Sequence, residues 1–322
     1  MDLRRRALVF WKYSARSKAG TFGRLLGLHP REDGGLLDIR EITSDRSVIA
    51  TVIRPWCCRS DGRLCLSAAV ALFDEISTYG GTVVWDRSAR PGVSIQLAAR
   101  ANSVLDVGSG DTVVVTTHLQ KLGRTLGFVR VSIRDERGNL LVTGTHIKFM
   151  PMGPLFDLGL HPILQPLSIP SWEKLLDLRP HVAPAPAPLE SVEQVFALRH
   201  VKPGIAEIDL HRYHANPIGG LHGGAGAMLS AHAALSYVNR NGGAGGANGL
   251  TLQELALNLL SVIPAPSSAV GIQSALAAPH RVETSVRYCS KVALESMAGR
   301  VGTSHWPRTL TFYCRRTLTI CE

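Results

Sequence analysis

Aromatic residues are scarce in this chain. They fill 6% of its 322 positions, while hydrophobic residues as a whole reach 45%. The core is therefore expected to rest on Leu, Val, Ile and Ala. Charged residues are also few, at 19%, which excludes a chain held open by self-repulsion. No uninterrupted apolar run of about 18 residues occurs, so no membrane span is expected. The six cysteines are Cys57, Cys58, Cys65, Cys289, Cys314 and Cys321, and no pair has the Cys-x-x-Cys spacing of a zinc site. A chain of this length needs no covalent staples, so they read as free thiols of a reducing compartment. There is no His-Glu-x-x-His run, no P-loop and no Gly-x-Ser-x-Gly elbow. The one close histidine pair, in "HRYH" at 211–214, sits on a segment that alternates like a strand. Its two rings would face opposite sides, which argues against a metal site.

Acidic residues are the minority, 25 against 35 Lys and Arg, giving a net charge of +10. That suits an anionic partner, such as a phosphorylated small molecule, a nucleic acid or an acidic membrane surface. No aromatic signature of RNA binding is present, so no nucleic-acid partner is expected. Basic residues crowd the start of the chain, where residues 1–31 carry eight of them and a single acid, Asp2. The segment reads either as a mitochondrial targeting peptide or as a basic amphipathic helix of the folded protein, docked through Phe10, Tyr13, Phe22 and Leu25. Localisation is accordingly expected to be intracellular, mitochondrial or cytoplasmic.

Nine of the 18 prolines fall within residues 151–190 and mark an extended spacer. The expected organisation is a basic segment at 1–35, one domain at 36–150, a Pro-rich linker at 151–195 and a second domain at 196–322. A patch "NRNGGAGGANG" at 239–249 reads as a loop inside the second half. In the first half, residues 64–81 have helical spacing (Leu66, Val70, Phe73, Ser77) and end on Gly80-Gly81, a stop signal. Four alternating stretches follow, at 93–103, 111–120, 124–135 and 140–150, separated by glycine turns. The second half repeats the order: a strand at 206–214, the glycine-rich loop "NPIGGLHGG", a small-residue helix, then strand-like stretches. The expected fold is α+β with antiparallel sheet, and the repeated order suggests an internal duplication.

The stretch from "PGVSIQLAARANS" to "GTHIKF" resembles the sheet half of hotdog-fold acyl-CoA thioesterases of the phenylacetate-degradation type, which include the small animal acyl-CoA thioesterases. "FDEIST" resembles their central helix. "NPIGGLHGGAGAML" resembles their Asn-x-x-Gly-x-Leu-His-Gly-Gly loop. The resemblance implies two tandem hotdog domains, each a long central helix wrapped by antiparallel sheet, packed as a pseudo-dimer. In that family two hotdogs pair, and each active site takes the loop from one and a carboxylate from the other, nine residues apart on their own chains. Here Cys65 stands nine residues before Asp74, and Ala231 stands nine after His222. The first half has the acid without the loop, and the second has the loop without the acid. One composite site is implied, with Asp74 facing Asn216, His222 and Gly223, and a dead reciprocal site at Cys65 and Ala231.

The chemistry of these residues fits thioester hydrolysis. Glycines ahead of a helix let backbone approach a ligand, and the helix start offers unpaired N–H groups. Gly223 N–H is therefore the candidate oxyanion donor. Asp74 is the candidate general base or nucleophile, needing burial to raise its low basicity. Asn216 is placed to orient water, His222 to fix the loop or touch the thioester, and Ser94 to hydrogen-bond Asp74 or water. Gly224, Lys121 and Arg124 are the candidate coenzyme A contacts, the two cations on its phosphates. The expected substrate is an acyl-CoA, with no metal or further cofactor, in a dimer of double hotdogs. Two other readings stand beside it. One is a non-catalytic acyl-CoA-binding or scaffold protein, because half of each motif is missing. The other is an enoyl-CoA hydratase-like enzyme, because "HANPIGGLH" is similar to the Asn-Pro-Ile/Leu-His segment of hotdog hydratases.

Overall fold

The computed structural model describes residues 2–16, 22–29, 35–102, 105–151, 191–202, 204–217, 219–241, 254–259, 267–278, 281–288 and 310–315, with isolated positions 164 and 171. Nearly all of the Pro-rich stretch, most of the Gly-rich patch, and Cys289 and Cys321 lie outside them.

The first half contains β1 (Asp38–Ile42), β2 (Arg46–Val52), β3 (Val93–Ala101), β4 (Thr112–Leu122), β5 (Leu126–Asp135) and β6 (Leu140–Phe149). The second contains β7 (Arg199–Lys202), β8 (Ile205–Leu210), β9 (Glu254–Asn258), β10 (Ser267–Ala278), β11 (Arg281–Tyr288) and β12 (Leu310–Arg315). All 12 form one sheet, ordered β1-β2-β4-β5-β6-β3-β9-β12-β11-β10-β8-β7. Read from either outer edge to the middle, the two halves have the same strand order. They meet where β3 pairs antiparallel with β9, Leu97 opposite Leu257. Strands β1, β2 and β7 add to the expected order. Charges at Asp38, Arg40 and Glu41 hide the alternation of β1, an edge strand that needs only one apolar face.

A central helix lies in the sheet of each half. The first, Leu66–Ser77, is buried at every position, which fits its near-continuous small and apolar sequence. The second spans Gly223–Asn241. The two cross closely: a Cβ added at Gly224 would stand 2.6 Å from Ala71 Cα. Gly80-Gly81 does not stop the first helix. The chain widens into a π-turn at Thr78–Thr82 and continues helically through Val83–Trp85. These glycines serve packing instead, because a Cβ on Gly80 would meet Ile49 of β2 at 2.5 Å. The second half needs a further correction. Its strand ends at Leu210, and Arg212–His214 is a 3-10 turn. Period-two alternation therefore does not apply to His211 and His214; His214 Nδ1 instead accepts from His211 N at 3.0 Å.

The basic N-terminal segment is docked. Its helix Leu3–Arg16 buries Ala7, Phe10, Trp11 and Ser14, an i, i+3, i+4, i+7 stripe, at 2% exposure or less. Arg6 caps the end of the first central helix, donating to Val84 O and Asp86 O. Phe22 and Leu25 are buried as well, while the Tyr13 side chain lies outside the described residues. Burial of each large apolar side chain stabilises this docking by about 1.5–3 kcal/mol. Among the described residues no helix is long and apolar enough to cross a membrane.

Candidate active site

Two adjacent carboxylates, Asp74 and Glu75, lie in the first central helix at 2% and 1% exposure. Buried carboxylates must be paired and hydrogen-bonded, and both are. Asp74 Oδ1 accepts from Ser94 Oγ at 2.8 Å, and Oδ2 from Gly224 N at 2.7 Å. His222 Nδ1 stands 3.3 Å from Oδ2. Glu75 Oε2 lies 2.8 Å from His222 Nε2, and Oε1 accepts from Ser14 Oγ of the N-terminal helix at 3.2 Å. Burial works against a charge on His222, but Asp74 and Glu75 more than restore it, so the ring titrates above its usual range. Its ring lies between the two carboxylates, with Nε2 on Glu75 and Nδ1 facing Asp74 and the Gly224 N–H, 3.1 Å away. Burial likewise opposes charge on Asp74, yet His222, His146 (Nε2 3.3 Å from Oδ1), Lys148 and the Ser94 hydroxyl outweigh it and hold this carboxyl below its usual range. The acid is buried as expected, but its basicity falls instead of rising.

Residues absent from the sequence-derived site complete the cluster. His146 lies on β6, opposite Leu97 of β3, wholly buried. Its Nε2 is 2.9 Å from Ser94 Oγ, and its Nδ1 is 2.7 Å from Ser77 Oγ. Burial, with help from the Lys148 charge, pushes its pKa down to about 3, so the ring is neutral. An ionised carboxylate only accepts, and a hydroxyl has one proton. The Ser94 proton therefore goes to Asp74, His146 Nε2–H donates to Ser94, and Ser77 donates to His146 Nδ1. This chain, Ser77 to His146 to Ser94 to Asp74, aims every donor at the carboxylate. A register shift between Ser94 and Gln96 interrupts the β3–β6 ladder beside Ser94. On β6, His146 and Lys148 both occupy the core-facing register, where strand alternation calls for apolar residues. That departure is the sequence signal that could have revealed them.

The loop brings the second half to the acid. Asn216 N donates to Gly220 O at 2.7 Å and Asn216 Oδ1 accepts from Gly220 N at 3.0 Å, closing a turn with Gly219 at φ +87°. The Asn216 carbonyl oxygen is thus spent on shaping the loop. Gly223 opens the second central helix, and its N–H has no acceptor among the described residues. A Cβ there would stand 2.7 Å from Asp74 Oδ2 and 3.3 Å from Ser94 Cβ. Gly224, expected among the coenzyme contacts, is instead buried in the helix crossing with its N–H on Asp74. Lys121 and Arg124 are exposed around the β4–β5 turn and do not line the cleft.

That cleft is bordered by Phe10, Asp74, Lys148, Asn216, His222 and Gly223 among others. The reciprocal position is different. Its loop keeps the same backbone: Arg59 N donates to Arg63 O, Gly62 lies at φ +80°, and Cys65 N donates to Cys57 O as His222 N does to His214 O. The first half has the loop's shape without its histidine and paired glycines. Burial pushes the Cys65 thiol up, and Ala231 offers no acid.

No protein-family model matches this chain, and no curated protein does. A solved structure of a putative thioesterase from Novosphingobium aromaticivorans aligns over 87% of this chain and 96% of its own, with TM-score 0.51 and 15% identity. The fold is the hotdog, carried twice. An acyl-ACP thioesterase from Bacteroides thetaiotaomicron covers 84% of this chain and 97% of its own at 8% identity and TM-score 0.49. Thioesterase superfamily member 2 from zebrafish covers 36% of this chain and 81% of its own at 22% identity and TM-score 0.33. The likeness to the Novosphingobium structure, at 15% identity, shows the fold alone and leaves the chemistry to the residues.

Proposed function

We propose that this double hotdog is an acyl-CoA thioesterase with one composite site per chain. The observation that carries the reading is the meeting of Asp74 from the first half with the Gly223-Gly224 helix start of the second. Thioester hydrolysis needs an oxyanion stabiliser and an activated nucleophile on opposite sides of one carbonyl. Gly223 N–H, at the positive end of the helix, receives the developing oxyanion. Asp74, ionised at neutral pH, attacks the carbonyl itself or draws a proton from the water that does. Ser94 and Gly224 orient its oxygens, and His222 holds the loop against Glu75. Turnover releases a free acid and coenzyme A.

A second reading has an observation of its own. All four oxygens of Asp74 and Glu75 already accept hydrogen bonds, and Asp74 is a weakened base. Such a cluster also suits a double hotdog that binds acyl-CoA without cleaving it. A panel of acyl-CoAs offered to the full chain, with free thiol followed over time, separates the two. Release that is saturable and lost in Asp74→Asn supports the thioesterase. Tight binding of the same compounds with no release supports the binder.

A further inference from the structure

Lys148 is the group in the cleft that this chemistry leaves unused. It lies on β6, opposite Ser94 of β3, at 2% exposure, and it borders the same cleft as Asp74 and Gly223. An ammonium has three N–H donors and no acceptor. Among the described residues it has one hydrogen-bond acceptor, Thr78 Oγ1 at 2.7 Å. Asp74 and Glu75 attract it only from a distance, because no described carboxylate lies within 4.0 Å of Nζ and their four oxygens take donors elsewhere. A buried ammonium with one of its three donors satisfied is costly unless a ligand completes it. Thr78 stands four residues after Asp74, and its hydroxyl donates to Asp74 O at 2.6 Å. The ammonium is therefore held at the helix turn that follows Asp74, in the same cleft and more than 4.0 Å from its carboxylate. Thr78 and Gly92 adjoin its side chain, and Tyr79, Pro91 and Phe10 of the N-terminal helix also border the cleft.

We infer that Lys148 is the recognition point for a carboxylate on the far end of the acyl group, so that the substrates are coenzyme A monothioesters of short dicarboxylic acids. The inference rests on the thioesterase reading for turnover, but not for binding. A thioester carbonyl placed between Asp74 and Gly223 N–H leaves a four- or five-carbon acyl chain to run along the helix, where its terminal carboxylate meets Nζ. A neutral chain of equal length would leave the ammonium unpaired.

The test compares succinyl-CoA and glutaryl-CoA with butyryl-CoA and valeryl-CoA on the full chain, read as kcat/KM, and on Asp74→Asn by calorimetry, read as Kd. Charged hydrogen bonds of this kind are expected to favour the diacid thioesters by roughly ten- to a hundred-fold. Lys148→Met should collapse that ratio towards one, with thermal unfolding as the check that the variant is folded. Equal preference in the unmodified protein overturns the inference while leaving the thioesterase reading intact. Loss of turnover on all four compounds to the same degree in Lys148→Met also overturns it, because Lys148 would then act on the thioester common to them. Absence of hydrolysis with the diacid preference retained in Kd overturns the thioesterase reading and upholds this one.

Discussion

Asp74→Asn tests the hydrogen-bond chain more sharply than a deletion would. The amide must keep an oxygen towards Gly224 N, which donates at 2.7 Å. Its NH₂ then replaces Oδ1 and points at Ser94 Oγ, 2.8 Å away. Ser94 becomes an acceptor there and must send its proton to His146 Nε2. His146 in turn must carry its proton on Nδ1 and donate to Ser77, whose hydroxyl has Asp74 O within 3.4 Å. The whole chain reverses, and the second amide N–H is the one donor left without a named acceptor. The expected stability loss is therefore modest, about 1–3 kcal/mol, as two charge-assisted hydrogen bonds become neutral ones. Asp74→Ala, which strands Gly224 N–H and opens a cavity, should cost more. Turnover should fall at least a hundred-fold in both. The assay is a pair of measurements: thiol release from acyl-CoA, and the nitrogen chemical shifts of His146, which should change from the Nε2–H to the Nδ1–H tautomer only in Asp74→Asn. An unchanged tautomer would refute the proton order, and full turnover would refute the composite site.

Gly223→Ala should lower kcat by roughly a hundred- to a thousand-fold and cost about 1–3 kcal/mol, since its methyl would press on Asp74 and Ser94; thiol release with thermal unfolding measures both. Cys65→Ala, at the reciprocal position, should leave kcat unchanged, and a drop of tenfold or more would show that site to be live. Burial lowers the Lys148 pKa from 10.5 to about 8, despite the opposing pull of Asp74 and Glu75. The unfolded chain therefore binds more protons between those values, and folding stability should rise by roughly 3 kcal/mol from pH 8 to 10.5, a slope that Lys148→Met removes in denaturant titrations. Phe10→Ala should destabilise by about 3–5 kcal/mol if the N-terminal helix belongs to the core, and an unchanged unfolding midpoint would refute that docking.

The parts of the site that were legible in the sequence are those tied to local pattern. Asp74 stands on a helix whose spacing is plain, and the loop before His222 advertises itself through glycine. Their partnership is implied by the resemblance to paired hotdogs, whose nine-residue spacing is then counted from one half to the other. The four groups that escaped notice became visible only through long-range contact. Glu75 is masked by Asp74 beside it. His146 and Lys148 sit on a strand that reads correctly as a strand, and only their placement on its inward face betrays them. Ser77 reads as one more position on the helical stripe. The N-terminal segment defeats composition because the same basic amphipathic pattern serves targeting and docking. Its apolar stripe matters only once Glu75 and the end of the first central helix are seen to need Ser14 and Arg6.

The mirrored strand order has a consequence for how such a molecule can change. In a symmetric dimer of identical chains every substitution appears twice, so neither catalytic position can be lost without disabling both sites. With both halves on one chain and one seam at β3–β9, each position is written once and can drift alone. Arg59 to Cys65 forms the same loop without its histidine, and the other central helix carries Ala231 and no acid nine residues after His222. The expected outcome is a binding stoichiometry of one acyl-CoA per chain, half the number of hotdogs.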